Sequence, residues 1–272
     1  MTFGRRLQAA RQAYGPLCVG IDPHSSVLEE WGVGDSVEGL ERFAEVCVEA
    51  FAGQVGLVKP QSAFFERFGS RGVAVLEWLL QEFRHTGTLT VLDVKRGDIG
   101  STAAAYAAAY LDDDAPMAAD AVTVSPFLGF GSLEPFFAEA DRNDAGVFVL
   151  ALTSNPEGPE FQHANAGDGR TVAGSVLAQL AALNASSAPL GSFGAVVGAT
   201  IGETSEDLAI DGPLLVPGFG AQGGTVDDLR RLFGAVWEQV VPSSSRGILN
   251  AGRDPAALRA SAQQVNAQLV SS

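Results

Sequence analysis

Residues 89–101 read LTVLDVKRGDIGS. The run 89–95 is short and rich in leucine and valine with little polar alternation, the pattern of a strand buried on both faces. It ends in charge. Asp93 and Lys95 stand two residues apart, so on an extended strand both side chains leave on the same face. Asp98 follows in a turn with Gly97 and Gly100, residues that accept backbone angles closed to others. The stretch 101–111 (STAAAYAAAYL) then reads as a helix. An apolar strand, a charged turn and a helix make one βα unit.

The same unit recurs along the chain. Further strand-like runs lie at 17–22 (LCVGID), 56–59 (GLVK), 121–124 (AVTV), 147–152 (VFVLAL), 195–199 (AVVGA), 214–217 (LLVP) and 247–249 (GIL). Helical patterns separate them at 37–52, 72–84, 132–140, 171–183, 225–233 and 255–269. Ser36 is placed to cap the first of these, and Pro255 behind Asp254 starts the last. Eight strands alternating with helices predict a parallel α/β fold, a closed (β/α)8 TIM barrel, with an open doubly wound sheet as the alternative. No Pro/Ser-rich linker divides residues 1–272, so one catalytic domain is expected. The longest polar insertion, 154–169 (SNPEGPEFQHANAGDG), directly follows a strand and reads as an active-site loop.

Composition narrows the possible partners. The 272 residues are 46% hydrophobic and 18% charged, a balance able to bury a large core, and the formal charge is −15. An acidic excess of this size argues against non-specific binding to nucleic acid or an anionic membrane, so an anionic ligand must meet a local positive site. No run of 18 apolar residues occurs, and the opening MTFGRRLQAARQAYG has no apolar segment after its arginines. Cys18 and Cys47 show no metal-binding spacing and read as small buried thiols in a reducing compartment. A cytoplasmic protein is expected. His24, His85 and His163 are scattered and suggest neither a metal site nor a catalytic histidine.

In a barrel, chemistry is assembled at the C-terminal ends of strands. Those ends carry Asp22, Lys59, Asp93, Lys95, Asp98, Ser125, Ser154, Pro217 and Arg246. A lone Asp at such a place usually caps a helix, but six ionisable groups are not explained that way. Only two of the 17 basic residues are lysines, and both fall at the ends of apolar strands. An ammonium is a compact charge able to give up a proton, which guanidinium effectively cannot do. Asp93, Lys95 and Asp98 would knit strand to loop as a buried salt bridge, or form a reactive site; the desolvation cost of the cluster favours the site. The segment 217–224 (PGFGAQGG) offers backbone N–H groups to an anion ahead of a helix N-terminus, and Arg246 supplies a cation. Loops after strands seven and eight are the usual phosphate site of barrels, so a monophosphorylated ligand is expected.

These residues also resemble a known family. DVKRGDIGSTA (93–103) is similar to the Asp-x-Lys-x-x-Asp signature of the orotidine 5′-phosphate decarboxylases, which complete UMP synthesis. GIDP (20–23), VKPQSAFFE (58–66), VSPFLG (124–129), LTSNP (152–156), PGFGAQGG and SRGILNAG (245–252) extend the match to the longer bacterial subgroup. Related phosphate-binding decarboxylases share part of the signature, but they generally require a metal and lack the KPQ and SNP segments. The resemblance implies a Lys59–Asp93–Lys95–Asp98 charge network acting without metal or cofactor on orotidine 5′-monophosphate. It implies a homodimer in which Asp98 and Thr102 come from the opposite subunit. It further implies that Asp22 and Lys59 contact ribose hydroxyls, that Ser154 and Pro217 meet the pyrimidine, and that Gln222 and Arg246 hold the 5′-phosphate. Ser125 departs from the family pattern, where asparagine is more usual.

A lysine nucleophile forming a Schiff base is a second reading of Lys95, although flanking carboxylates disfavour the neutral amine it needs. A silent nucleotide-binding protein is a third; it would keep Gln222 and Arg246 but has no need of Asp93 or Lys95.

Overall fold

The strand that carries Asp93 and Lys95, β3 (Leu89–Arg96), lies between β2 (Leu57–Pro60) and β4 (Ala121–Val124) and runs parallel to both. This computed structural model describes residues 1–167, 169–220 and 224–270. The remaining strands are β1 (Cys18–Ile21), β5 (Gly146–Leu152), β6 (Phe193–Val197), β7 (Leu214–Pro217) and β8 (Val240–Ser244). Each pairs in parallel with its sequence neighbour, and β8 returns to β1 through Cys18↔Ser243 and Val19↔Ser244. That last pairing closes a (β/α)8 barrel and excludes the open sheet.

Around the barrel lie α1 (Phe3–Tyr14), α2 (Ser25–Glu30), α3 (Val37–Phe51), α4 (Ser62–Glu66), α5 (Gly69–Thr86), α6 (Gly100–Leu111), α7 (Glu134–Arg142), α8 (Gly158–Gln162), α9 (Val172–Asn184), α10 (Val226–Phe233), α11 (Arg246–Leu249) and α12 (Pro255–Val270). Short polar side chains start several of them. Ser36 accepts from Gly39 N at 3.1 Å, Thr171 accepts from Gly174 N at 2.9 Å, and Thr225 forms a reciprocal capping box with Asp228. Among the described residues, no helix or strand separates β6 from β7. Part of the 154–169 segment forms α8, and Gln162 fastens it to Thr153 at the end of β5 through bonds of 2.9 and 2.7 Å.

Two apolar layers result. One lies between the sheet and the helices, where Phe43, Phe51, Phe83, Phe136 and Phe233 are fully buried. The other fills the barrel, where Val91, Phe148, Val196 and Leu215 meet Phe3 and Leu7 of α1. Helix α1, absent from the sequence reading, therefore plugs the N-terminal end of the barrel. Among the described residues, no helix is long and apolar enough to cross a membrane.

One strand assignment is corrected. The eighth strand is Val240–Ser244, and residues 247–249 belong to α11. The sequence VVPSS reads poorly as a central strand because Pro242 has no N–H to give. Here β8 pairs with β1 only at Ser243 and Ser244, so the proline precedes that ladder. Arg246 consequently stands in the first turn of the short helix that follows β8.

Candidate active site

The parity of β2 and β3 sends Lys59 and Asp93 into the barrel, where their side chains are 7% and 8% exposed. Lys59 Nζ donates to Asp93 Oδ2 at 3.0 Å. Lys95 Nζ donates to Asp93 Oδ1 at 2.5 Å, and Thr123 Oγ1 donates to the same oxygen at 2.7 Å. One carboxylate thus accepts from two ammonium groups and a hydroxyl. Burial alone would raise the Asp93 carboxyl, but the charges of Lys59 and Lys95 outweigh it and hold the group well below the usual carboxylate range. Burial likewise works against the Lys59 ammonium, and Asp93 with Asp22 reverses the sign, so it stays protonated above the ordinary lysine value.

Asp93 and Lys95 do meet, but not on a regular strand. Lys95 has φ +45°, a left-handed conformation that side-chain-bearing residues rarely adopt, and the β3–β4 register shifts between Leu92 and Arg96. The irregularity turns Lys95 outward to 44% exposure while its ammonium still reaches the buried carboxylate. Thr123 holds the distortion from β4 by accepting from Lys95 N at 3.0 Å. Such local strain concentrates at functional sites.

Asp22, Lys59, Asp93, Lys95, Pro217 and Arg246 line one cavity of about 200 Å³ at the C-terminal mouth of the barrel. Its floor includes Val196 and Leu215 from the interior layer. Two buried oxygens of its lining residues, Asp22 Oδ1 and Ser245 Oγ, have no hydrogen-bond partner among the described residues. Unpartnered polar atoms in a cavity of this kind are groups prepared for a ligand. Arg246 brings a cation to the same rim.

Other expected residues lie elsewhere. Ser154 borders a neighbouring cavity of about 370 Å³ between the segments that follow β5 and β6. Asp98 accepts from Ile99 N at 2.8 Å and, among the described residues, forms no ion pair. Thr102 is exposed on α6. Gln222 lies outside the described residues. Conversely, Gln61, Thr123, Phe219, Ser243 and Ser245 line the central cavity although sequence reasoning gave them no role. Gln61 accepts from Lys59 Nζ and donates to the Asp93 carbonyl, both at 3.4 Å. A signal existed for Thr123, a hydroxyl inside the apolar run AVTV. Ser243 and Ser245 were hidden by the misplaced eighth strand. Among the described residues, no group of three or more His, Cys, Asp or Glu side chains is arranged to hold a metal ion.

Comparison with known proteins agrees with this geometry. Residues 15–261 match the model of the orotidine 5′-phosphate decarboxylase / HUMPS family. The chain is 62% identical over 263 residues to the orotidine 5′-phosphate decarboxylase of Streptomyces coelicolor, covering 96% of this chain and 95% of the relative. It is also 62% identical over 270 residues to the enzyme of the same name from Nocardioides sp., covering 98% of each. A crystal structure from Streptomyces avermitilis, given the same enzyme name, superposes with a TM-score of 0.97 at 58% identity, covering 99% of this chain and 95% of that one. Full-length identity at this level, on a closed barrel with the charge array in its mouth, places the chain in the orotidine 5′-phosphate decarboxylase / HUMPS family.

Proposed function

We propose that this chain decarboxylates orotidine 5′-monophosphate to UMP and CO2 in pyrimidine synthesis, with Lys95 as the proton donor to C6 and without a metal or cofactor. The observation that carries the reading is the Lys59–Asp93–Lys95 array, ion-paired at 3.0 and 2.5 Å inside a cavity that Arg246 also lines.

The chemistry follows from those charges. Breaking the C6–carboxylate bond releases CO2 and leaves the electron pair on C6. The Lys95 ammonium stabilises that charge as it develops, then transfers a proton to form C6–H and is reprotonated from water. Asp93 orients the ammonium and faces the departing carboxylate, which adds repulsion in the ground state. Arg246 and Gln222 hold the phosphate, Asp22 and Lys59 the ribose hydroxyls, and Ser154 and Pro217 the ring. Phosphate binding far from C6 then supplies free energy to align the site and to close the 154–169 segment over it. In this reading the whole chain acts as one barrel domain in the cytoplasm.

The same reading includes a homodimer with Asp98 and Thr102 serving the opposite subunit. It is supported by the half-buried position of Asp98, the exposure of Thr102 and their surroundings. Ile99, Phe127 and Leu128 are 62%, 71% and 52% exposed, and the two loops that carry them meet where Ser125 N donates to Arg96 O at 2.8 Å. An apolar surface of this kind beside an incomplete charge network suits a second copy of the chain.

The deciding experiment follows loss of orotidylate absorbance with chelator-treated, folded protein. Turnover in EDTA is expected, and its absence overturns the assignment. Lys95→Ala is expected to abolish turnover while product still binds. Mixing Lys95→Ala with Asp98→Ala chains should restore partial activity, whereas an inactive, verified heterodimer would refute the shared site.

A further inference from the structure

A second cavity, of about 510 Å³, opens at the opposite end of the barrel, between α1, α10 and the start of β8. The interior apolar layer separates it from the catalytic mouth: Val196 and Leu215 face the mouth, while Leu7, Leu57 and Val241 of the same cluster line the second cavity. Its size is that of a small-molecule site.

Two guanidinium groups border it around Trp237. Arg230 lies 3.9 Å above the indole ring and donates to Leu269 O at 3.2 Å. Arg11 donates to the carbonyls of Trp237, at 3.0 Å, and Val240. The carboxylate nearest Arg11 is Glu238, at 3.5 Å and with its side chain 89% exposed, a weak counter-ion. Burial, with a smaller contribution from the charge of Arg230, pushes the Arg11 guanidinium below its ordinary value despite Glu238. Two further observations concern hydrogen bonding. Arg230 Nε, a donor, and Gln239 Oε1, an acceptor, are both buried with no partner among the described residues, and both residues line this cavity. Buried groups of this kind are ordinarily satisfied. The lining therefore combines two partly buried guanidinium groups, whose acidic neighbours Glu238 and Asp211 are exposed, with one donor and one acceptor unpaired among the described residues and leucine side chains.

We propose that this cavity is a binding site for a small organic anion. Its carboxylate or phosphate would accept from Arg230 beside Arg11, its apolar body would cover the leucines, and a hydroxyl or N–H would donate to Gln239 Oε1.

Calorimetric titration of the full chain with 4-hydroxybenzoate tests this, with benzoate lacking the donor and 4-hydroxybenzamide lacking the charge. Binding at one site per chain is expected, accompanied by a change in fluorescence that Trp237→Phe removes. Both comparison compounds should bind more weakly, about tenfold for the amide. Arg230→Gln should weaken 4-hydroxybenzoate about tenfold or more, whereas Arg246→Ala, at the other end of the barrel, should leave it unchanged. Gln239→Leu keeps the charges and the helix contacts, and it should erase the preference for 4-hydroxybenzoate over benzoate. That variant decides the matter if Arg230→Gln unfolds. No binding at millimolar ligand, loss of binding in Arg246→Ala, or indifference to Gln239→Leu would each overturn the proposal.

Discussion

Arg96 Nη2 lies 2.8 Å from Glu66 Oε1, so the residue after Lys95 is tied to the helix that follows Lys59. Glu66 is itself held by Ser62 Oγ at 2.6 Å, and Arg96 donates back to Val94 O at 3.2 Å. The guanidinium also lies 5.7 Å from the Tyr106 ring of α6. Lys95, with its left-handed backbone, sits between these anchors. Arg96→Met should therefore let the irregularity relax and move the ammonium off its target. A fall in kcat on the order of 10–100-fold with KM little changed is expected, since small misplacements cost rate. Arg96→Lys should recover part of it. Wild-type kcat in Arg96→Met would show that the contact supports the fold alone.

The Lys59–Asp93 pair is buried on both sides, unlike the surface pairs elsewhere in the barrel. Asp93→Asn leaves the Lys59 ammonium buried without its counter-charge, at a cost of about 3–5 kcal/mol in urea denaturation. The pH dependence has a definite sign. The folded carboxyl titrates below the unfolded value of about 4, so its contribution is complete above that value and shrinks as pH falls below it. Lys59 is shifted upward, and its contribution is complete below the unfolded lysine value of about 10.4 and is lost only above it. The stability gap between wild type and Asp93→Asn should be level from about pH 5 to 9 and narrow in acid. A gap that widened in acid would contradict this arrangement.

Much of this was legible in the sequence because barrel strands are apolar runs whose charged ends cannot be accidental in number. Asp22, Lys59, Asp93, Lys95, Pro217 and Arg246 were each found at strand ends or beyond them, and they share one cavity. What was not legible has physical causes. Pro242 and three serines disguised β8 and the turn after it, since patterning rewards β-branched and aliphatic residues. Helix α1 escaped because only a few of its residues, among them Phe3 and Leu7, are buried, too few for a clear periodic stripe. The backbone twist at Lys95 depends on Thr123, 28 residues away, so no local rule reports it. Asp98, read at a strand end with the others, lies outside the lining of that cavity.

Thr123 is the missed residue with the clearest consequence. Its hydroxyl bonds the Asp93 carboxylate and receives the Lys95 amide, so Thr123→Val keeps the shape and removes both. A hydrogen bond to a charged group contributes about 1.5–3 kcal/mol. A fall in kcat/KM of about tenfold or more is expected, together with measurable loss of stability. Equal kcat/KM in the two proteins would remove Thr123 from the working site.

Gly20 offers a test of the other side of the mouth. It lies in β1 opposite the turn after β8, and a Cβ added there would stand 2.6 Å from Ser245 Cβ and 3.2 Å from its Cα. Neither atom is the end of a flexible side chain, so Gly20→Ala must displace the backbone that carries Ser245 and Arg246. Overpacking of this kind costs about 1–3 kcal/mol. The chemistry at Asp93 and Lys95 lies on other strands and should be less affected. Gly20→Ala is therefore expected to raise KM and weaken UMP binding by about tenfold, with a smaller change in kcat. A fall confined to kcat would mean that Ser245 and Arg246 do not hold the substrate at all.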